Sequence, residues 1–248
     1  TATHPVMPME SFTYDPVGNL TTMTDPLGRT TVVTYDALDR IVAATDALGR
    51  QPTTTYDAAG NVLTVSDALG RTTAFAYDDL DRLVETTDAL GQTSTRRYDA
   101  VGNVVAVTDA LGRVTQVAYD ALDRPVKTTD ALSQRATTAY DAVGNVVAVT
   151  DVLGRTTALG YDALNRVVDV TRPDPDGGGP QGAPTTSFAY DTMGNLLTVT
   201  DPLGRVTRFA YDGLDRLVET ADALNQRTSM AFDAVGNLLA VTDALLEQ

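Results

Sequence analysis

Short runs of β-branched and aliphatic residues alternate with turn-forming residues along the whole chain. Five or six residues rich in threonine, valine and leucine, such as NVVAVT from Asn103 and RTTAFAY from Arg71, lie between stretches rich in aspartate, glycine and asparagine. Their β-branched content and short length favour strands over helices. The pattern predicts an all-β chain of about 22 short strands in an antiparallel meander, with hairpin turns at alternating edges.

Aromatic residues mark a repeat of 21 residues. Successive members are 21 residues apart, except for a gap of 29 between Tyr161 and Tyr190. Repetition at a fixed period indicates an arrayed architecture, in which these rings are predicted to form a structural packing ladder. We divide the chain into an N-terminal extension at 1–11 and an array of eleven units at 12–248. The ladder consists of Tyr14, Tyr35, Tyr56, Tyr77, Tyr98, Tyr119, Tyr140, Tyr161, Tyr190, Tyr211 and Phe232.

Each unit contains two turns with the same chemistry. One follows the aromatic residue, as in YDALDR from Tyr35, and the other comes about ten residues later, as in TDALGR from Thr45. An aspartate opens each turn, alanine or proline follows, and glycine, aspartate or asparagine takes the fourth position, which is typical of a type I turn followed by a left-handed residue. Such a turn closes a three-residue hairpin loop. The residues predicted to shape the turns are Asp36, Arg40, Asp78, Arg82, Asp120, Arg124, Asp212, Arg216, Gly18, Gly60, Gly102, Gly144, Gly194 and Gly236.

Aspartate and arginine four positions apart are predicted to face each other across the loop. Asp78 and Arg82 form one such pair, and Asp36 and Arg40 form another. A cross-strand pair of opposite charge contributes about 0.2–1 kcal/mol, so the effect grows through repetition.

A second period of 42 residues is superposed on the first. Turns after the aromatic residue end alternately in Gly-Asn and in Asp-Arg or Asn-Arg. If every loop holds three residues, the odd period of 21 would place successive tyrosines on opposite faces, with Tyr77 on the more apolar face and Tyr98 on the other. A bulge would change this phase.

One insertion interrupts the array at about 172–184. The segment TRPDPDGGGPQGAP from Thr171 replaces a turn, and its proline and glycine content predicts an exposed loop, because the repeats resume after it. The chain ends in TDALLEQ, with Leu246 in place of a turn glycine, which suggests a segment that adjoins more repeats.

Composition excludes several kinds of function. The net charge of −15 disfavours a nucleic-acid partner, no run approaches the length of a membrane span, and no cysteine is present. The single histidine, His4, leaves little material for acid–base or metal chemistry. The many aspartates recur as turn residues, so we predict no catalytic, cofactor-binding or metal-binding residues. DPDGGG from Asp174 lacks the downstream glutamate of a calcium loop.

The motifs YDxxGN, YDxLDR and DPLGR or DALGR at this spacing resemble those of the YD-repeat, or RHS-repeat, family. That family includes shells of bacterial polymorphic toxins, shell components of insecticidal toxin complexes, and the animal teneurins. The resemblance implies a curved or spiralling β-strip that forms part of a hollow shell, secreted or at the surface of a bacterial cell. Its implied partners are further repeats of the same or neighbouring chains and an enclosed toxin or other cargo polypeptide.

The leading hypothesis is a non-enzymatic wall that encapsulates a polypeptide. An extracellular filament or adhesin built by end-to-end pairing is the alternative, because open strand edges can template pairing. A glycan-binding module that uses the tyrosine rings is a third. A β-propeller is disfavoured, because its blades have chemically distinct loops, whereas these turns are nearly uniform.

Overall fold

The computed structural model describes residues 10–177 and 182–243. Within these residues the regular elements are 22 β-strands, and none is a helix, which confirms the all-β fold class. The chain divides into two compact units, Thr1–Val117 and Ala118–Gln248, with the boundary inside the eleventh strand. His4, Leu246, most of the predicted extension at 1–11 and part of the insertion lie outside the described residues.

The strands are four to six residues long. The first eleven are β1 (Ser11–Tyr14), β2 (Leu20–Thr24), β3 (Thr30–Tyr35), β4 (Ile41–Thr45), β5 (Thr53–Tyr56), β6 (Val62–Ser66), β7 (Thr72–Tyr77), β8 (Leu83–Thr87), β9 (Thr93–Tyr98), β10 (Val104–Thr108) and β11 (Val114–Tyr119). The remaining strands are β12 (Pro125–Thr129), β13 (Arg135–Tyr140), β14 (Val146–Thr150), β15 (Thr156–Tyr161), β16 (Val167–Thr171), β17 (Thr185–Tyr190), β18 (Leu196–Thr200), β19 (Val206–Tyr211), β20 (Leu217–Ala221), β21 (Arg227–Phe232) and β22 (Leu238–Asp243).

Within each unit, every strand pairs antiparallel with the next strand along the chain. The pairing of β6 with β7, for example, joins Thr64 with Ala74 and Ser66 with Thr72. We call the ends of the strands where the turns follow an aromatic residue the tyrosine edge, and the ends with the other turns the distal edge. The meander with hairpins at alternating edges is thus the observed topology.

Turns at both edges have the same backbone geometry. In the turn Asp78–Arg82, the amide of Asp78 donates to the carbonyl of Arg82, and the amide of Asp81 donates back to the carbonyl of Asp78, both at 3.0 Å. Asp81 has a φ of 57°, in the left-handed region where other turns use glycine. The three-residue loop that turn chemistry predicts is therefore present.

A bulge accompanies each described hairpin at the tyrosine edge. Thr34 pairs with Ala43 but Tyr35 pairs with Ile41, so β4 has one extra residue, Val42, opposite β3. The other tyrosine-edge pairings within the units have the same irregularity, whereas the distal-edge pairings are regular.

The bulge makes the prediction of alternating tyrosine faces wrong. Each 21-residue unit has one bulge residue in addition to its two three-residue loops. The number of paired residues per unit is therefore even, so successive tyrosines lie on the same face. In unit 1, Tyr77 and Tyr98 both lie on what we call the tyrosine face, which also carries Val33, Val65 and Phe75. The assumption of three-residue loops alone could not reveal the bulge, because Val42 is β-branched like its neighbours in the strand.

The opposite side of the sheet, which we call the threonine face, is polar. Cross-strand hydroxyl pairs bond on it, such as Thr55 with Thr64 and Ser66 with Thr72, both at 2.6 Å. Such threonine pairs stabilise neighbouring strands. Val32, 40% exposed, is one of the few large aliphatic residues on this face.

The sheet is a single layer with almost no enclosed core. Only three apolar residues in the described part of the chain are buried, namely Ala43, Ala106 and Ala221. The chain exposes 16754 Å², against about 10,600 Å² expected for a globular protein of its mass. Stability must therefore come from contacts between neighbouring strands and turns.

We expect Tyr98→Ala to destabilise the protein more than Tyr77→Ala. Both rings lie on the tyrosine face, but the guanidinium of Arg82 lies 4.6 Å from the Tyr98 ring centroid, and no guanidinium in the described part of the chain stacks on Tyr77. Each truncation should lower the free energy of unfolding by about 2–4 kcal/mol, with about 0.5–1 kcal/mol more at Tyr98. Urea titration of the two variants measures the difference, and a larger loss at Tyr77 would contradict this assignment.

Candidate functional site

The repeated feature of this protein is the row of turns along the tyrosine edge. In each Asp-Arg turn the aspartate holds the loop and the arginine together. Asp78 Oδ1 accepts hydrogen bonds from the amides of Leu80 and Arg82, and its Oδ2 accepts from Arg82 Nε at 2.8 Å. Arg82 Nη2 lies 2.7 Å from the same Oδ2. This geometry fixes the guanidinium in one orientation.

The fixed guanidinium reaches the next turn along the edge. Arg82 Nη1 donates to the carbonyl of Asp99 at 3.1 Å, while its guanidinium carbon lies over the ring of Tyr98. The same double contact joins each of five Asp-Arg or Asn-Arg turns to the Gly-Asn turn that follows it, with donor–acceptor distances of 2.9–3.3 Å and ring distances of 4.4–4.9 Å. The arginines are Arg40, Arg82, Arg124, Arg166 and Arg216.

A different contact leads from four of the described Gly-Asn turns to the Asp-Arg or Asn-Arg turn that follows within the same unit. Asn61 Nδ2 donates to Asp81 Oδ1 at 2.7 Å, and it also donates to Asp57 within its own turn at 3.0 Å. Equivalent bonds of 2.7–2.8 Å leave Asn19, Asn145 and Asn195. Asp81, which replaces a turn glycine, thus has a partner in the preceding turn.

The two contacts explain the 42-residue period. An arginine contact follows each of these four asparagine contacts, so one complete cycle along the edge takes two 21-residue units. Sequence reasoning identified the alternation of Gly-Asn with Asp-Arg but assigned it to strand register. The bridging asparagines were missed, although the alternation itself was the signal that could have found them.

Tyrosine hydroxyls add a third contact between neighbouring strands. The hydroxyl of Tyr98 donates to the carbonyl of Leu83 at 2.8 Å, across the sheet from β9 to β8. The same bond, at 2.9–3.1 Å, is made by Tyr35, Tyr56, Tyr77, Tyr140, Tyr161 and Tyr190. The hydroxyl groups of these tyrosines thus have hydrogen-bond acceptors, while the aromatic rings cover the strands.

At the distal edge, six of the described turns have the Asp-Arg ion pair, and none of these arginines is seen to bridge to the next turn. Arg71 pairs with Asp67 at 2.5 Å, yet 67% of its side chain is exposed, whereas only 27% of the Arg82 side chain is exposed. Across the described ion pairs of this kind, distal-edge arginines are 60–67% exposed and tyrosine-edge arginines 25–27%. The tyrosine edge is therefore the edge at which turns contact one another.

Hydrogen bonds within the turns lower the pKa of carboxylates such as Asp78 and Asp57. The side-chain hydrogen bond from Arg82 is the largest influence on the pKa of Asp78; desolvation opposes it, and the amides of Arg82 and Leu80 add to it, so that this pKa lies below its ordinary value of 3.8. The pKa of Asp57 is lowered in the same way, chiefly by the side chain of Asn61. These carboxylates act as hydrogen-bond acceptors within the turns.

Two kinds of feature are absent from the described residues. Across 10–177 and 182–243, no group of three or more histidine, cysteine, aspartate or glutamate residues is placed to hold a metal ion. No helix in the same ranges is long and apolar enough to cross a membrane. The site consists instead of the repeated edge, a single-layer β-strip whose turns are linked in series.

This architecture defines a class of β-hairpin repeat protein, and the sequence comparison identifies the family. The RHS Repeat family model matches residues 14–51, 56–93, 98–135, 140–177, 190–227 and 211–245. These segments cover most of the chain, which belongs to the RHS repeat family. No curated protein matches the chain in sequence.

Solved structures with a similar fold are toxin complexes. The chain is similar to TcdB2-TccC3-Cdc42 (14% identity, TM-score 0.55), to TcdB2-TccC3 (15%, 0.54), and to the Tc holotoxin pore of Photorhabdus luminescens with a point variant of TccC3 (14%, 0.52). Each match covers 94% of this chain but only 16–17% of the solved chain. The likeness is one of fold, and this chain spans about a sixth of the length of those structures.

We expect Arg82→Gln to destabilise the protein by about 1–3 kcal/mol, because it removes an ion pair, a bond to a backbone carbonyl and a cation–π contact. Arg71→Gln is the matched control, since it removes only an exposed ion pair and should cost less than about 1 kcal/mol. Chemical denaturation of both variants measures the difference. Equal losses would show that the bridges do not stabilise the array.

Proposed function

We propose that this chain is a non-enzymatic structural wall, formed by the array at 12–248, that encloses a cargo polypeptide. The observation that carries the proposal is the single-layer sheet with two unlike faces. The threonine face presents hydroxyl groups that suit water, whereas the tyrosine face presents aliphatic and aromatic side chains that remain partly exposed. A wall of this kind separates an apolar interior from its surroundings.

The family and the similar folds support a structural role in a toxin-type assembly. Two of the neighbours are complexes of TcdB2 with TccC3, and a third is a Tc holotoxin pore of Photorhabdus luminescens with a variant of TccC3. We therefore place the parent protein in a secreted or surface-exposed bacterial assembly, with further repeats and an enclosed polypeptide as partners.

The contacts of every second ring of the ladder disfavour the glycan-binding alternative at those rings. Tyr56 and Tyr98 each have a guanidinium over the ring, and each hydroxyl already donates to a carbonyl. A sugar that stacked on either ring would compete with the guanidinium that already lies over it. A filament or adhesin remains the competing role, and it differs from a wall in leaving both faces of the sheet open to solvent.

Two single-cysteine variants of the full-length natural protein test the wall. Val65 on the tyrosine face is 41% exposed and Val32 on the threonine face is 40% exposed, so V65C and V32C should be equally accessible in an open strip. These 248 residues contain no cysteine, and any cysteine elsewhere in the full-length protein is first replaced by serine. With a bulky maleimide-coupled polyethylene glycol, we expect V32C to react and V65C to be protected in the assembled protein.

The control is the same pair after denaturation, when both thiols should react at the same rate. Protection of V65C in the native protein would agree with a tyrosine face that lines an enclosed space. Equal reactivity of the two native thiols would contradict the wall and favour a filament or another open structure.

A further inference from the structure

One hairpin of unit 1 departs from the repeat where β4 meets β5. Within the described residues, a single residue pair, Ala43 with Thr53, joins these two strands. Each of the nine other described distal-edge hairpins joins three residue pairs. Strand β5 is also shorter, with four residues where β3 and β7 have six. Among the described hairpins of the distal edge, β4–β5 is therefore the most weakly paired.

A proline accounts for one of the missing pairs. Pro52 takes the repeat position that Thr31 and Thr73 have in β3 and β7, and a proline nitrogen carries no hydrogen to donate. The amide of Ala44 donates to the carbonyl of Pro52 at 3.4 Å. The return bond that completes such a pair in an antiparallel ladder cannot form, because Pro52 is not a donor. Proline is avoided inside paired strands for this reason.

The residue before the proline removes a second contact. Gln51 takes the repeat position at which Thr72 and Thr93 form hydroxyl pairs with Ser66 and Thr87, at 2.6 and 3.2 Å. Gln51 has no hydroxyl group, so β4 and β5 cannot form this pair on the threonine face. The two departures from the repeat are adjacent in sequence and weaken the same strand pairing.

The two ends of the same strands remain joined. At the tyrosine edge, Arg40 Nη1 donates to the carbonyl of Asp57 at 3.2 Å, and the guanidinium carbon lies 4.4 Å from the ring centroid of Tyr56. The Tyr56 hydroxyl donates to the carbonyl of Ile41 at 3.0 Å. At the distal edge, the turn Asp46–Arg50 has its usual backbone bonds, at 2.9 and 3.0 Å. The weakness thus lies in the ladder between two ends that are held.

Open space lies beside the distal turn of this hairpin. A cavity of 260 Å³ separates the turn Asp46–Arg50 from the turn Asp25–Arg29. Charged residues of both turns line it, together with Met23, Thr31 and Leu48. The turn therefore has room to shift toward its neighbour.

We infer that the β4–β5 hairpin is a hinge of unit 1, a line along which the sheet bends while the neighbouring hairpins keep their geometry. A single-layer sheet bends about lines parallel to its strands, and the ladder hydrogen bonds between two strands resist that bending. The line with the fewest ladder bonds is the one that yields first. The contacts of Arg40 and Tyr56 keep the two strands together during the motion. The hinge is independent of whether the sheet encloses a cargo.

Amide hydrogen exchange in the full chain and in its variant P52T tests the weak ladder. The matched position is Val65, which pairs with Thr73 in the regular β6–β7 hairpin as Ala44 would pair with residue 52. We expect the protection factor of Ala44 to be at least roughly tenfold lower than that of Val65. P52T supplies the missing donor, so it should raise the protection factor of Ala44 and leave that of Val65 unchanged. Equal protection of the two amides in the wild type, or no effect of P52T at Ala44, would overturn the inference.

Distances between spin labels test whether the weak ladder lets the sheet bend. Labels at L27C and L69C lie on either side of the β4–β5 hairpin, and labels at L69C and L111C lie on either side of the β8–β9 hairpin, which has three residue pairs. The three leucines occupy equivalent distal turns and are 74–77% exposed. Each labelled pair is four strands apart, about 19 Å along the sheet.

By double electron–electron resonance, we expect a broader distribution of distances for L27C/L69C than for L69C/L111C. Adding P52T to the first pair should narrow its distribution to the width of the second, which separates bending at this line from motion of the labels. Equal widths in the two pairs would overturn the hinge, and so would a width that P52T does not change.

Discussion

The guanidinium groups along the tyrosine edge are the constraint on which this structure depends. A single-layer sheet has no enclosed core, so each repeat must be held in place by the repeat beside it. The aspartate of each Asp-Arg turn fixes the arginine, and the arginine then bonds to the carbonyl and covers the ring of the next turn. Asparagine contacts complete the connection to the following turn. The structure is therefore quasi-one-dimensional, with stability that arises between nearest neighbours.

The two edges of the sheet therefore differ in their contacts, and its two faces differ in polarity. The tyrosine edge links turns within the chain, and its arginines are consequently withdrawn from water. The distal edge keeps its ion pairs on the surface. The threonine face presents mainly hydroxyl groups, whereas the tyrosine face carries most of the large apolar side chains together with polar residues such as Thr73 and Arg96, so the two sides of the sheet differ in polarity. Each of these properties is repeated along the chain, as expected for a protein whose role is structural.

Much of the fold could be predicted from the chemistry of residues that are neighbours in the sequence. Short β-branched runs predicted the strands, and aspartate with glycine or asparagine predicted the three-residue loops, because both signals are contained in a few neighbouring residues. The face of the sheet on which each tyrosine lies could not be predicted in this way. Val42 looks like any other strand residue, and its status as the extra residue of a bulge depends on pairing with a neighbouring strand. The bond from Asn61 to Asp81 likewise joins residues that are distant in sequence and meet only in the folded sheet.

Residue-resolved amide hydrogen exchange tests the central role of the tyrosine edge most directly. The amides of Asp78 and Asp67 make the same turn hydrogen bond, at 3.0 and 2.9 Å, but Asp78 lies at the tyrosine edge and Asp67 at the distal edge. If the bridges hold neighbouring turns together, the amide of Asp78 should exchange at least roughly tenfold more slowly than that of Asp67, since local opening would break more contacts. Equal rates at the two edges, or slower exchange at Asp67, would contradict the account.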